Sequence, residues 1–226
     1  MIDYLRDADR LATLRDYQLV DTPAEANLDA IVADAARYLG TPIAMISLVD
    51  DQRQWFKAKH GTDRSEDPVD HSICARAICG DDLYVVADAS TDERFSHFPG
   101  VCADGGIRFY AGAPLKMRNG ARLGTLCVID VAPRGSLDAA ERLALEALAR
   151  RTVAAFELRR DLLDAVSSEA TLEAREQILL ADASKLLARA AAMLDLVGAS
   201  GVAAHLEHVI ALVDDRRTPA SPACSV

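Results

Sequence analysis

The chain has 226 residues, half of them hydrophobic and 27% charged, with a net charge of −10. That is enough apolar material for a packed core, an ordinary charge content that argues against disorder, and the wrong sign for a dedicated binder of phosphate backbone. No apolar run approaches the ~20 residues of a membrane helix. The opening MIDYLRDADR carries charges where a signal peptide needs an apolar stretch, so a cytoplasmic protein with neither nucleic-acid nor membrane partners is expected.

Residues 3–17 place Leu5, Leu11, Leu14 and Tyr17 at helical spacing, and Asp21-Thr22-Pro23 breaks that helix. In the next, Leu28, Ile31, Val32, Ala35, Ala36 and Leu39 form one apolar face, and Gly40 stops it. Ile43–Val49 reads as a central strand, and the alternating run Gln54–His60 as its hairpin partner. An acidic loop, Asp63–Asp70, leads into a short helix, Ser72–Cys79, and a strand, Leu83–Ala87. After a long loop, Asp88–Gly106, two strands, Arg108–Lys116 and Arg122–Asp130, flank Asn119-Gly120, the strongest short hairpin signal. A long helix is expected over Ser136–Arg160, with Asp138 and Glu141 suiting its positive start. From Val166 to Arg217, Leu172, Leu179, Leu186 and Met193 recur every seven residues, as do Leu180, Leu187 and Leu194 one position on. Gly198 and Gly201 break this seam, Ser200 caps a last helix, and Thr218–Val226 reads as a disordered tail. The expected domains are therefore 1–165, 166–217 and 218–226. The length of the seam favours a coiled dimer over burial against the chain's own first domain.

Three separated stretches resemble one bacterial family. They are Thr41–Asp50 (TPIAMISLVD) with Arg53–Lys57 (RQWFK), His71–Ile78 (HSICARAI), and Ile107–Leu115 (IRFYAGAPL) with Leu123–Asp130 (LGTLCVID). They are similar to the sensory GAF domains found before histidine kinases and diguanylate cyclases, and the likeness covers roughly residues 10–160. The resemblance implies an α/β (α+β) fold of the GAF/PAS type: a central antiparallel sheet, helices on one side, a ligand pocket on the other, and the 88–106 loop as its roof. Here a C-terminal helical coiled segment follows in place of a kinase or cyclase signature.

The side chains that could line such a pocket are Trp55, His71, Cys74, Phe95, Cys102, Arg108, Tyr110 and Cys127. Trp55 and Phe56 are adjacent on an alternating strand, so at most one faces the pocket. His71 and Cys74 are three apart at a helix start, a spacing that suits metal ligands, but no second pair completes a site, and a backbone-bonded His beside a buried Cys is the plainer reading. Arg108 either pairs with Asp88 or Asp92 or holds an anionic ligand. His205 and His208 lack the acidic and Pro or Asn neighbourhood of a phosphoacceptor and read as surface residues. The five cysteines are odd in number and form no Cys-x-x-Cys pair, so they read as free thiols.

Cys74 and Cys102 resemble in position two cysteines of the free methionine sulfoxide reductases, which are GAF enzymes. The acidic substrate-holding residues of those enzymes are missing from Arg108-Phe-Tyr110 and Thr125–Ile129. The Asn-Lys dipeptide of cyclic-nucleotide-binding members and the Cys-His pair of bilin-binding ones are also missing. A haem held by His71 or His97 would rest on a single His. The expectation is a non-catalytic module that binds a small molecule or senses redox state. It would act as a homodimer and relay through its C-terminal helix to a partner signalling protein; the residues name no cofactor.

Overall fold

The computed structural model describes residues 2–167, 172–196 and 200–217. Two compact units make up the chain, Met1–Arg160 and Asp161–Val226. The expected tail, 218–226, lies outside the described residues.

The first unit is built on six antiparallel strands in the order β3-β2-β1-β6-β5-β4. They are β1 (Ile43–Val49), β2 (Arg53–His60), β3 (Glu66–Pro68), β4 (Tyr84–Val86), β5 (Phe109–Lys116) and β6 (Arg122–Asp130). β1 and β6 lie at the centre and are buried along nearly their whole length, which is why both read as continuous apolar runs. The β5–β6 hairpin turns at Asn119-Gly120, with Gly120 at φ +87° and the Asn119 side chain accepting the Ala121 N–H at 3.1 Å.

Alternation along the strands gives the sheet two different cores. On one face lie α2 (Ala8–Asp16), α3 (Ala26–Leu39) and α6 (Ala139–Ser167). Leu14, Ile31, Leu39, Leu145 and Phe156 from these helices pack with Ile46, Leu126 and Val128 of the sheet. The six apolar residues read from the α3 sequence are the six it buries. Gly40 ends that helix at φ +60°, its N–H returning to Ala36 O, the left-handed cap that glycine makes cheaply. On the other face lie the short α4 (Ile73–Ala77) and the segment after β4, packed on Met45, Phe56, Cys127 and Ile129.

A bulge decides which face β2 residues reach. The register with β1 shifts between Ile46 and Ser47, so Ile46 faces Ala58 while Ser47 faces Phe56. Lys57 is the extra residue. Its ammonium, wholly shielded from solvent, pairs with Glu25 at 2.7 Å and donates to Thr22 Oγ1 at 2.6 Å and Pro23 O at 2.8 Å.

Several elements differ from the sequence reading. The stretch 3–17 is two helices, α1 (Ile2–Leu5) and α2, divided where the Asp7 carboxylate accepts the Arg10 N–H at 2.8 Å. Arg10 is buried, donating to Tyr4 O, Leu5 O and Val49 O. The acidic loop contains β3: Glu-Asp-Pro has poor strand propensity, and only the β2 edge makes it one. The roof segment holds a single turn, α5 (Pro99–Cys102). α6 begins at Ala139, three residues later than expected. Asp138 and Glu141 cap it reciprocally, each backbone N–H bonded to the other's carboxylate at 2.8 Å.

The second unit contains α7 (Leu172–Leu196) and α8 (Ser200–Arg217), which pack on each other. Ser184, Ala191 and Ala203 are buried, whereas Ile178, Leu186 and Met193 are exposed. His205 and His208 are also exposed. None of the described helices is long and apolar enough to cross a membrane.

Arg10→Ala removes three donors to backbone carbonyls, including the buried one to Val49 O. It should lower stability by about 2–3 kcal/mol, read as a reduced urea midpoint at unchanged slope; an unchanged midpoint would show that the α1–α2 junction does not depend on this side chain.

Candidate functional site

Between the second face of the sheet and the segment after β4 lies a cavity of about 350 Å³. That is at the small end of the ~300–1,000 Å³ typical of ligand pockets. Its walls are largely apolar: Ile43 and Met45 from β1, Phe56 from β2, Ile73 from α4, Ile129 from β6, and Phe98, Val101 and Ile107 from the roof. The roof is held by backbone bonds and by a tight turn at Gly106. Gly100 O accepts the Ile107 N–H at 2.9 Å. A Cβ on Gly106 would lie 2.7 Å from each of three carbonyl oxygens, so this turn admits only glycine without rearrangement.

The lining of the cavity also contains polar groups. Gln54, Arg64, Asp67, His71, Cys74 and Tyr110 all line it. Arg64 pairs with Asp67, and Gln54 Nε2 donates to the second Asp67 oxygen at 3.2 Å. Gln54 Oε1 accepts from Ser72 Oγ at 2.5 Å and from Ser47 Oγ at 3.3 Å. Ser72 also caps α4, its Oγ accepting the Ala75 N–H at 3.0 Å. The His71 ring tilts against Phe98, centroids 5.8 Å apart.

Behind this rim sits a buried group of thiols and hydroxyls. Cys74 Sγ and Cys127 Sγ are 3.8 Å apart. The Tyr110 hydroxyl donates to Cys74 Sγ at 3.3 Å and lies 3.4 Å from Thr125 Oγ1. These donors favour the thiolate of Cys74 and lower its pKa against the opposing effect of burial, the Cys127 thiol contributing most. Cys127 is pushed well above the usual thiol range by the same partnership and by burial. Burial, reinforced by the negative charge of Cys74, also holds the Tyr110 phenol protonated. Tyr110 reaches Cys74 because Gly112, two residues along β5, leaves its ring room: a Cβ there would fall 2.2 Å from the phenol oxygen.

Of the eight side chains chosen from sequence, His71, Cys74 and Tyr110 line the cavity. Cys127 backs it through Cys74. Trp55 lies on the opposite face, against the α3 side of the sheet, and Phe56 is the neighbour that reaches the cavity. Phe95 is buried behind the roof, edge-on to Phe98 and Tyr84. Cys102 is exposed, its thiol bonded to Ser96 O at 3.1 Å.

Arg108 pairs with neither expected carboxylate. It donates to Val101 O at 2.9 Å and Ile107 O at 3.1 Å and so ties down the roof. Asp88 is taken by Ser90 and Asp92 by Arg94. Gln54, Arg64, Asp67 and Phe98 were not among the sequence candidates. Alternation on β2 was the one signal pointing to Gln54, since it shares a face with Phe56. No group of three or more metal-ligating side chains occurs among the described residues.

A family model described as the GAF domain matches residues 23–156. Over 136 residues the chain is 46% identical to a cyclic di-GMP phosphodiesterase of Pseudomonas aeruginosa, a match that takes in 60% of this chain and 23% of that protein. The chain thus spans less than a quarter of the length of this curated relative. Among solved structures, the GAF domain of an Acinetobacter phosphoenolpyruvate-protein phosphotransferase superposes with a TM-score of 0.50 at 21% identity, covering 73% of this chain and 99% of that one. The free methionine-R-sulfoxide reductase of Neisseria meningitidis does so with a TM-score of 0.50 at 21% identity, covering 68% and 94%. At that identity the likeness establishes the fold alone.

Removing the Tyr110 donor should raise the pKa of Cys74, because the hydroxyl stabilises the charged form. In a protein whose other thiols are serine, Tyr110→Phe should shift the pH profile of iodoacetamide alkylation upward. Gly112→Ala, which displaces the ring, should move it the same way. An unmoved profile in both would show that the hydroxyl does not support the thiolate.

Proposed function

The chain belongs to the GAF domain family, and from that premise we propose that it is a sensory module that binds a small, mostly apolar molecule in the roofed cavity. The cavity itself is the observation that carries this reading: largely apolar walls, a few polar groups among them, and the segment after β4 as its roof. A molecule with a flat or branched apolar body and one hydrogen-bonding end matches it. The end would meet Gln54, Asp67 and His71, and the body would meet Phe56, Phe98 and Ile129. The occupant is bound rather than converted.

The module belongs, in this reading, to the type that precedes histidine kinases and diguanylate cyclases. The identity to a cyclic di-GMP phosphodiesterase supports a place in cyclic-dinucleotide signalling. The output would lie in a partner protein reached through the helices after residue 160. The exposed Ile178, Leu186 and Met193 support self-association of that segment.

Ile129→Trp should fill the cavity without touching the polar rim. Protein purified under native conditions, denatured and extracted, should release a stoichiometric small molecule seen by mass spectrometry, and the tryptophan variant should release none. Equal release from both would place the ligand elsewhere and overturn the reading. Sedimentation velocity at micromolar concentration should show a dimer, and Leu186→Glu with Met193→Glu should return it to monomer; a wild-type monomer would remove the dimer.

A further inference from the structure

Cys74 and Cys127 are the pair of buried groups that ligand binding does not use. They come from elements far apart in sequence, α4 and β6, yet their sulfurs stand 3.8 Å apart. A disulfide needs ~2.05 Å, so the approach required is under 2 Å. α4, which carries Cys74, is only five residues long. The two thiols are not equivalent. Cys74 lines the cavity, whereas Cys127 does not and is wholly shielded from solvent.

We propose that Cys74 and Cys127 form a peroxide-oxidisable dithiol, with Cys74 as the attacking thiolate and Cys127 as the resolving thiol. The proposal goes beyond ligand binding and can fail or succeed apart from it.

The substrate class is a hydroperoxide small enough to enter the cavity. In the first step the Cys74 thiolate attacks one peroxide oxygen. An S–O bond forms, the O–O bond breaks, and the departing hydroxide (alkoxide for an organic hydroperoxide) takes up a proton to leave as water (or the alcohol), giving Cys74 sulfenic acid. In the second, Cys127 attacks the Cys74 sulfur. The S–S bond forms, the S–O bond breaks, and the leaving hydroxide takes the Cys127 proton as a second water. Two thiols give up two electrons and the peroxide gains them.

The surroundings suit this order. Tyr110 donates to Cys74 and so favours its thiolate, and the cavity gives the oxidant access to Cys74 first. Cys127 holds its proton until the sulfenic acid forms next to it. Disulfide formation draws Cys74 towards β6, which remodels the cavity wall.

Cys102 is the competing site, being exposed. The test therefore uses the full chain with Cys79, Cys102 and Cys224 changed to serine, treated with equimolar hydrogen peroxide. The expected result is loss of both remaining thiols, a mass lower by two hydrogens, a Cys74–Cys127 linked peptide, and full reversal by dithiothreitol. Adding Cys127→Ser should instead leave one added oxygen on Cys74, trapped by dimedone. Adding Cys74→Ser should slow peroxide consumption at least tenfold. Tyr110→Phe should shift the pH dependence of oxidation upward.

Retention of both thiols in the folded protein, with loss only after denaturation, would overturn the proposal. So would equal oxidation of the two single-cysteine variants, or disulfides formed solely between chains. Release of a bound small molecule alongside an inert thiol pair would reject this inference and leave the proposed function standing; an oxidisable pair in a protein that releases nothing would do the reverse.

Discussion

Everything in the first unit depends on one strand pair being buried on both faces. β1 and β6 lie side by side, from Ile43 opposite Ile129 to Leu48 opposite Gly124. Their backbones come so close that a Cβ on Gly124 would sit 1.8 Å from Ser47 O. Because successive side chains alternate, the pair builds two cores at once. Ile46, Leu126 and Val128 belong with the helices α2, α3 and α6, while Met45, Cys127 and Ile129 belong with α4 and the roof. The first is filled by side chains of α2, α3 and α6. The second is interrupted by the cavity and by polar atoms.

The polar atoms of the second core form a continuous arrangement, not isolated exceptions. Asp67, Gln54, Ser72 and Ser47 share hydrogen bonds. Beyond them, Cys74, Tyr110, Thr125 and Cys127 make a second group held by contacts of 3.3–3.8 Å. A buried hydroxyl or amide left without a partner costs ~1–3 kcal/mol, so this network imposes strict positions on the strands that carry it. Gly112 is one consequence, a residue without a side chain where the Tyr110 ring must lie. Arg108 is another, spending its charge on roof carbonyls and so holding the lid to the start of β5.

What could be read from sequence follows from the range over which each signal acts. Period and punctuation are local, and they located α3, β1, β2 and the Asn119-Gly120 hairpin with small errors at the ends, and the long helix α6 with its C-terminus placed seven residues short of Ser167. The GAF resemblance rested on three such local stretches. β3 was invisible because Glu-Asp-Pro becomes a strand only by pairing with an edge. The choice between Trp55 and Phe56 could not be made from alternation, which says that they face apart but not which way. The bulge at Lys57 adds a shift that no local pattern announces. For Arg108 the sequence offers either a nearby carboxylate or an anionic ligand as partner, whereas Asp88 and Asp92 are each satisfied within two residues and the guanidinium bonds Val101 O and Ile107 O. Pairings such as Cys74 with Cys127 join positions 53 residues apart. Only the tertiary fold can bring them together.

That same geometry bears on how an event in the cavity reaches the rest of the unit. β6 is the wall shared by both cores. Cys127 and Ile129 face the cavity side, and Leu126 and Val128 face the side that contains Leu145, Ala149 and Phe156 of α6. A displacement of Cys127 or Ile129 is therefore a displacement of a strand whose other face belongs to the helix-side core. The end of β6 is also clamped: Arg134 bonds Asp130, Leu39 O and Gly40 O. That clamp ties the end of β6 to the C-terminus of α3. Close-packed interfaces of this kind shift between discrete arrangements more readily than they deform continuously. A ligand moves the balance only by the difference between its affinities for the two arrangements. The residues that decide such a difference are those that touch the cavity on one side of β6 and those that receive the strand on the other.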